Sequence, residues 1–207
     1  MQLQNYYYWF KDAIPHHVCD DIVRYAKSIQ DQMAVTGGYG DKKLNKKEVQ
    51  DLKKKRDSDI VWLNERWIYN AIHPYIHQAN KDANWNFQWD FSESCQFTKY
   101  KKGQYYDWHC DSWDKPYDSP NTPSHGKTRK LSVTLSLSDD KDYSGGELEF
   151  DMRNQDPDKK TNTHVLKEIR SKGSLVVFPS DVWHRVKSVK RGIRHSLVIW
   201  NLGWPFK

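Results

Sequence analysis

No apolar run in this 207-residue chain is long enough to cross a bilayer. The opening residues Met1-Gln2-Leu3-Gln4-Asn5 lack the basic-then-apolar order of an export signal. A soluble, unexported protein of the cytoplasm, without a membrane partner, is the expectation. Cysteine is scarce: Cys19, Cys95 and Cys110 are the whole complement. Three cannot all pair and none shows CxxC spacing, which argues against a disulfide framework and for free thiols in a reducing compartment. Internal repeats are absent too. What the chain has in quantity is aromatic side chain, ten Trp, twelve Tyr and seven Phe, enough potential buried area to argue against disorder over most of its length. The charge balance is +6, from 33 Lys and Arg against 27 Asp and Glu. Much of the excess falls in residues 42–56, KKLNKKEVQDLKKKR. Glu48 and Asp51 interrupt that run and it offers no aromatic on which a base could stack, so it reads as a solvated helix or loop face.

The length suits one domain over 1–207. After Pro15, apolar residues at Val18, Ile22, Val23, Tyr25 and Ile29 predict an amphipathic helix. Gly37, Gly38 and Gly40 together with the lysine run make 35–57 look like a mobile insertion. Residues 60–79 show a second helical pattern, with a bend expected at Pro74. Residues 1–93 are thus expected to give mainly helical support and 94–203 a strand-built core. From Ser94 the period changes to two, and eight short strands follow with turn signals between several of them. Helices first and many strands afterwards indicate α+β, and eight antiparallel strands without long helices between them suit a jelly roll. Residues 112–128, rich in Pro, Ser and Asp, form a long loop of the kind that closes over sites.

Side chains two apart on a strand share a face, so His109 and Asp111 can point together while Cys110 points away. A second His from a neighbouring strand, here His184, completes a three-ligand face. Two imidazoles and one carboxylate leave adjacent coordination positions open, the arrangement associated with non-haem Fe(II) oxygenases. Zinc hydrolysis could use the same ligands, but no general base is evident beside them. Taken singly, an HxD tripeptide is more often accidental surface polarity, and a lone His an ordinary strand residue. The joint occurrence with Arg194 and Ser196 changes that weighting, because a guanidinium with an adjacent hydroxyl on one strand face can grip a carboxylate. A rim salt bridge is the competing reading of that pair, disfavoured by the apolar flank Leu197-Val198-Ile199. His16, His17, His73, His77 and His164 have no partner at ligand spacing.

These residues resemble the 2-oxoglutarate and Fe(II)-dependent oxygenase superfamily, in its prolyl 4-hydroxylase-like branch. The resemblance is carried by Tyr100, Tyr106-x-x-His109-x-Asp111, Arg129-Lys-Leu-Ser132, the segment from Asp142 through Gly145-Gly146 to Phe150, Gly173 to Pro179, His184-Arg-Val and Gly192-Ile-Arg194-x-Ser196. The stretch RKLSVTLSLSDDKDYSGGELEF resembles bacterial and phage PKHD-type hydroxylases more than the animal collagen enzymes. The resemblance implies a double-stranded β-helix with N-terminal helices packed on one sheet. It implies iron ligation by His109, Asp111 and His184, and pairing of Arg194 with the distal carboxylate of 2-oxoglutarate, helped by Ser196, Tyr100 and Ser132. Tyr106, Trp113 and Trp200 would lie near substrate. The cofactors implied are Fe(II), 2-oxoglutarate as cosubstrate and O2, with ascorbate beside them. The activity implied is hydroxylation of a prolyl residue in a peptide or protein, with release of succinate and CO2. Collagen-type enzymes carry Lys where Arg194 stands, which preserves charge, and Ser136 replaces a Tyr of oxygen-sensing relatives, which opens the pocket. Oxidative demethylation of nucleic acid, hydroxylation of a small metabolite and a non-catalytic binding jelly roll are the competing readings.

Overall fold

The computed structural model describes residues 5–29, 32–33, 45–112, 114–152 and 162–206. The N-terminal part contributes β1 (Tyr8–Phe10), α1 (His16–Lys27), β2 (Gln32–Met33), α2 (Lys46–Lys55), β3 (Arg56–Asp57), β4 (Asp59–Leu63) and α3 (Arg66–Asp82). Strands then dominate: β5 (Phe91–Ser92), β6 (Cys95–Tyr100), β7 (Tyr105–His109), β8 (Thr128–Ser136), β9 (Tyr143–Gly145) and β10 (Leu148–Asp151). The last group is β11 (Thr163–Val165), β12 (Leu175–Pro179), β13 (His184–Val186), β14 (Val189–Gly192) and β15 (Arg194–Gly203).

The large sheet runs β1-β12-β8-β15-β6-β4-β2, with β5 added beside β15, and faces a smaller sheet ordered β11-β10-β13-β7-β3. All the pairings are antiparallel. This is the α+β jelly-roll architecture expected, with helices against one sheet. Period-two alternation explains both faces of the large sheet. Leu131, Val133, Leu135, Leu175, Val177, Leu197 and Ile199 pack with Ile22, Ile68, Ile72 and Ile76 of α1 and α3 in one buried cluster. Their neighbours Val176 and Phe178 point the other way, into a second cluster with Tyr100, Leu148, Phe150 and Val186. Polar residues of the same parity, Gln96, Thr98, Ser132, Ser136, Arg194 and Ser196, are also buried.

Several boundaries differ from the sequence pattern. Residues 60–63, read there as the start of a helix, belong to β4, whose Val61 lies opposite Phe97 of β6; β-branched side chains suit that half-buried pleated surface better than a helix turn. α3 begins only at Arg66 and continues through Pro74. The expected insertion also contains regular structure. Residues 46–55 form α2, opened by a capping box between Asn45 and Glu48, and β3 joins the small sheet beside β7. Residues 34–44 lie outside the described residues. Gly192 has φ +74°, and a Cβ there would stand 2.0 Å from the Asp142 carbonyl oxygen. Glycine is therefore required at the turn that sends the chain into β15 and places Arg194.

His195, on the opposite face of β15 from Arg194, stacks on Phe97. Burial, reinforced by Lys27, Lys99 and Arg194, lowers its pKa to about 4. In the unfolded chain it titrates near the ordinary value of about 6.5, so between pH 6.5 and 4 the unfolded state takes up a proton that the native state refuses. Stability supplied by neutral His195 is complete above that window and declines as pH falls through it. The urea midpoint should drop with acidification over this range, and His195→Gln should flatten the slope. Parallel slopes for the variant and the parent would show that His195 is not a source of the acid lability.

Candidate metal centre

β13 and β7 are adjacent in the small sheet, and their register sets His184 directly opposite His109. Asp111 arrives differently from the strand-parity expectation. β7 ends at His109, and the next residues are caught by Ser180, whose carbonyl oxygen accepts from the backbone N–H of both Asp111 and Ser112 at 2.8 Å. The ligand-type atoms of His109, Asp111 and His184 lie within 4.8 Å of one another. Asp111 Oδ1 is 3.7 Å from His109 Nε2 and Oδ2 is 3.6 Å from His184 Nε2.

The backbone selects the free atom of each ring. His109 Nδ1 lies 2.7 Å from the Asp107 carbonyl oxygen and His184 Nδ1 lies 2.9 Å from that of Val182. A carbonyl can only accept, so each Nδ1 donates and each Nε2 is the ring atom turned to the shared centre. Burial, followed by the neighbouring His184, holds the His109 pKa well below 6.5. Burial alone would raise the Asp111 pKa. His184, His109, Arg129 and the Ser132 hydroxyl outweigh it and leave the carboxyl below its ordinary value. A neutral imidazole beside an ionised carboxylate is the charge state that divalent metal binding requires. The donor set is two nitrogens and one oxygen on a buried face, and it fits a ferrous ion.

Further side chains shape the surroundings. Tyr106 stacks on the His109 ring with centroids 3.5 Å apart, and Arg56 of β3 lies over the other end of that stack, 4.6 Å from the Tyr106 centroid. Arg56 is itself buried, bonding Ser58 Oγ and Gln96 Oε1. The basic run thus ends inside the sheet that carries the histidines, a placement that sequence separation concealed. Arg129 makes a two-point ion pair with Glu93, at 2.9 Å and 2.5 Å, and stacks 3.9 Å from the Trp200 ring centre. Tyr117 also donates to Glu93, tying the 112–128 loop to the same pair. Neither Glu93 nor Arg56 was visible as a site residue in the sequence, because their partners lie dozens of positions away.

Arg194 is 4% exposed. It donates to Ser196 Oγ at 3.0 Å and lies over the Tyr100 ring, and among the described residues no carboxylate pairs with it. Ser132 stands elsewhere than expected. Its hydroxyl donates to Asp111 Oδ2 at 2.7 Å and meets Ser180 Oγ at 2.9 Å, so it braces the carboxylate rather than extending the Arg194 group. Trp200 shares the Arg194 face of β15 as its parity predicted, and Trp113 lies outside the described residues.

A sequence model of the 2OG-Fe(II) oxygenase superfamily matches residues 95–201. Among curated proteins, the chain is 36% identical over 99 residues to a PKHD-type hydroxylase of Synechococcus sp. (strain CC9902), which covers 47% of this chain and 36% of that protein. It is 33% identical over 107 residues to a PKHD-type hydroxylase of Pseudoalteromonas atlantica, covering 51% and 41%. The match therefore spans about two fifths of these relatives' length. Two solved structures share the fold at 18% identity. A Pseudomonas putida prolyl-4-hydroxylase superposes with TM-score 0.65 over 96% of this chain and 92% of that one. A viral collagen prolyl hydroxylase from Paramecium bursaria Chlorella virus-1, solved as a 2OG complex, superposes with TM-score 0.64 over 97% of each.

Ser132→Ala removes one bond to Asp111 and leaves the three donor residues in place. Loss of such outer support costs on the order of 10- to 100-fold in metal affinity. Anaerobic Fe(II) titration should show a loss of that size, with a urea midpoint close to that of the parent. Unchanged affinity would remove Ser132 from the metal's support.

Proposed function

This chain belongs to the 2OG-Fe(II) oxygenase superfamily, and from that premise we propose that it is an Fe(II)- and 2-oxoglutarate-dependent dioxygenase. Its substrate in this proposal is a prolyl residue of a peptide or protein, hydroxylated at a C–H bond with release of succinate and CO2. The observation that carries the reading is the convergence of His109, Asp111 and His184 in an interior that also holds Arg194, which pairs with no carboxylate among the described residues.

In this reading His109 Nε2, His184 Nε2 and one Asp111 oxygen hold the iron. Bound iron and cosubstrate together supply the oxidising chemistry that no amino-acid side chain can provide. The protein's part is orientation and exclusion of water. The Asp107 and Val182 carbonyls keep both histidines in the ligating tautomer. Ser132 holds Asp111, and the Tyr106 ring walls one side of His109. Arg194 receives the distal carboxylate of 2-oxoglutarate, aided by Ser196 and Tyr100. A buried guanidinium costs several kcal/mol unless it is paired, so the dicarboxylate supplies what the protein leaves open. Trp200, with the Arg129 guanidinium 3.9 Å from its ring centre, is assigned to the substrate in this reading, as is Trp113.

The prolyl assignment follows the names of the structural neighbours, one of which was solved with a peptide fragment of a hypoxia inducible factor, while the curated relatives' names support a hydroxylase. No helix among the described residues is long and apolar enough to cross a membrane. All three cysteines are free thiols, in keeping with a reducing cytoplasm as the place of action.

Asp111→Ala should abolish Fe(II)-dependent succinate formation while the urea transition persists. Arg194→Ala should weaken 2-oxoglutarate on the order of 100-fold, the scale of losing one partner of a buried charge pair, with Fe(II) affinity retained. Succinate release, assayed with ascorbate to keep the iron reduced, should rise with a proline-rich peptide and not with methylated oligonucleotides or free amino acids. Stimulation by the oligonucleotide alone would replace the peptide substrate by nucleic acid. Stimulation by a free amino acid alone would replace it by a small metabolite. Full turnover by Asp111→Ala would refute the metal assignment.

A further inference from the structure

Away from the three donor residues, the irregular segment 85–90 crosses the end of β15. Asp90 N–H donates to the Leu202 carbonyl at 2.9 Å. A Cβ on Gly203 would stand 2.1 Å from the Gln88 carbonyl oxygen, so this close crossing is possible only at a glycine. The chain beyond β15 and this segment together line a cavity of about 590 Å³, with Trp85, Phe87, Trp89, Trp204, Phe206 and Lys130 among its walls. That volume lies within the range of small-molecule sites, roughly 300–1,000 Å³.

Lys130 is the anomaly of this cavity. It is 4% exposed, and among the described residues its buried Nζ has no hydrogen-bond partner. Burial lowers its pKa. The other charges lining or flanking the cavity cancel, since Asp90 pairs with Lys127 at 2.7 Å. The Phe206 ring covers the ammonium, 3.3 Å from centroid to Nζ, which offsets part of the desolvation cost but supplies no acceptor. Phe206 is 63% exposed and touches Phe87 edge-on, so its ring can turn aside without disturbing the core. Gly126 at φ +74° lets Trp204 pack closely on the 112–128 loop, which fixes the wall opposite.

We infer that this cavity is a second binding site, separate from the metal centre, for a flat apolar ligand bearing one carboxylate. The aromatic walls take its ring system and Lys130 takes its charge. A neutral ligand could at most accept a hydrogen bond and would leave the charge of the buried ammonium uncompensated, and a cationic one would meet it with like charge.

Three probes with one ring system separate these cases: 2-naphthoate, 2-naphthalenemethanol and 2-naphthylmethylammonium. Isothermal titration of the full chain should give saturable binding of 2-naphthoate, at least tenfold tighter than the alcohol, with the ammonium weakest. In Lys130→Met the carboxylate and alcohol should bind within about twofold of each other, while the alcohol keeps its parental affinity. Arg194→Ala should bind 2-naphthoate as the parent does. Absence of saturable binding, equal affinities for acid and alcohol in the parent, or an undiminished preference in Lys130→Met would each overturn the site. Loss of 2-naphthoate binding in Arg194→Ala would place the probe in the metal cavity and overturn it too. Because succinate formation is not the readout, failure here would leave the proposed oxygenase function untouched.

Discussion

Two backbone carbonyls govern the centre of this molecule. The oxygens of Asp107 and Val182 each accept from an imidazole Nδ1, and in doing so they decide which nitrogen is left for a ligand. Each carbonyl belongs to the residue two before its histidine, so the constraint is local. The pairing of β7 with β13 then carries the two histidines to opposite positions. Asp111 completes the group because Ser180 captures the chain just beyond β7. If that anchor were shifted by one residue, the carboxylate would leave the histidines even with all three residues intact.

Electrostatics divides the interior into a centre and a counter-site. The centre carries the negative charge of ionised Asp111 beside neutral His109, which a bound cation would balance. Arg129 is balanced through Glu93. Among the described residues Arg194 is left with a hydroxyl and an aromatic ring for company. A protein that spends folding energy on an uncompensated buried cation has usually kept it for something bound, and a dicarboxylate that also reaches the metal answers that need.

The basic run near residue 50 illustrates how position can mislead. Lys46, Lys47, Lys53, Lys54 and Lys55 face solvent on α2, as a charged helix face should. Its last residue, Arg56, is a different object: buried, hydrogen-bonded to Gln96 and stacked on the tyrosine that backs His109. Composition treats Arg56 as one more cation of the run. Packing makes it part of the wall behind the metal donors.

What the residues by themselves determined is the pattern that needs only short range. Period-two alternation marked β8, β12 and β15 and sorted their faces, helical spacing after Pro15 marked α1, and ordered motifs named the His109, Asp111 and His184 group together with Arg194 and Ser196. Those signals survive without tertiary structure because strand and helix geometry repeat within a few residues. What only the tertiary structure decided is what depends on partners far away in sequence. β4 became a strand because β6 offered it an edge, overriding a helical pattern of comparable strength. Ser132 became a brace for Asp111 because Ser180 and the end of β7 meet over it, and Glu93 found Arg129 from 36 positions away. Hydrogen bonds and ion pairs are directional and short, so such partnerships exist only once the sheets have closed and brought their ends together.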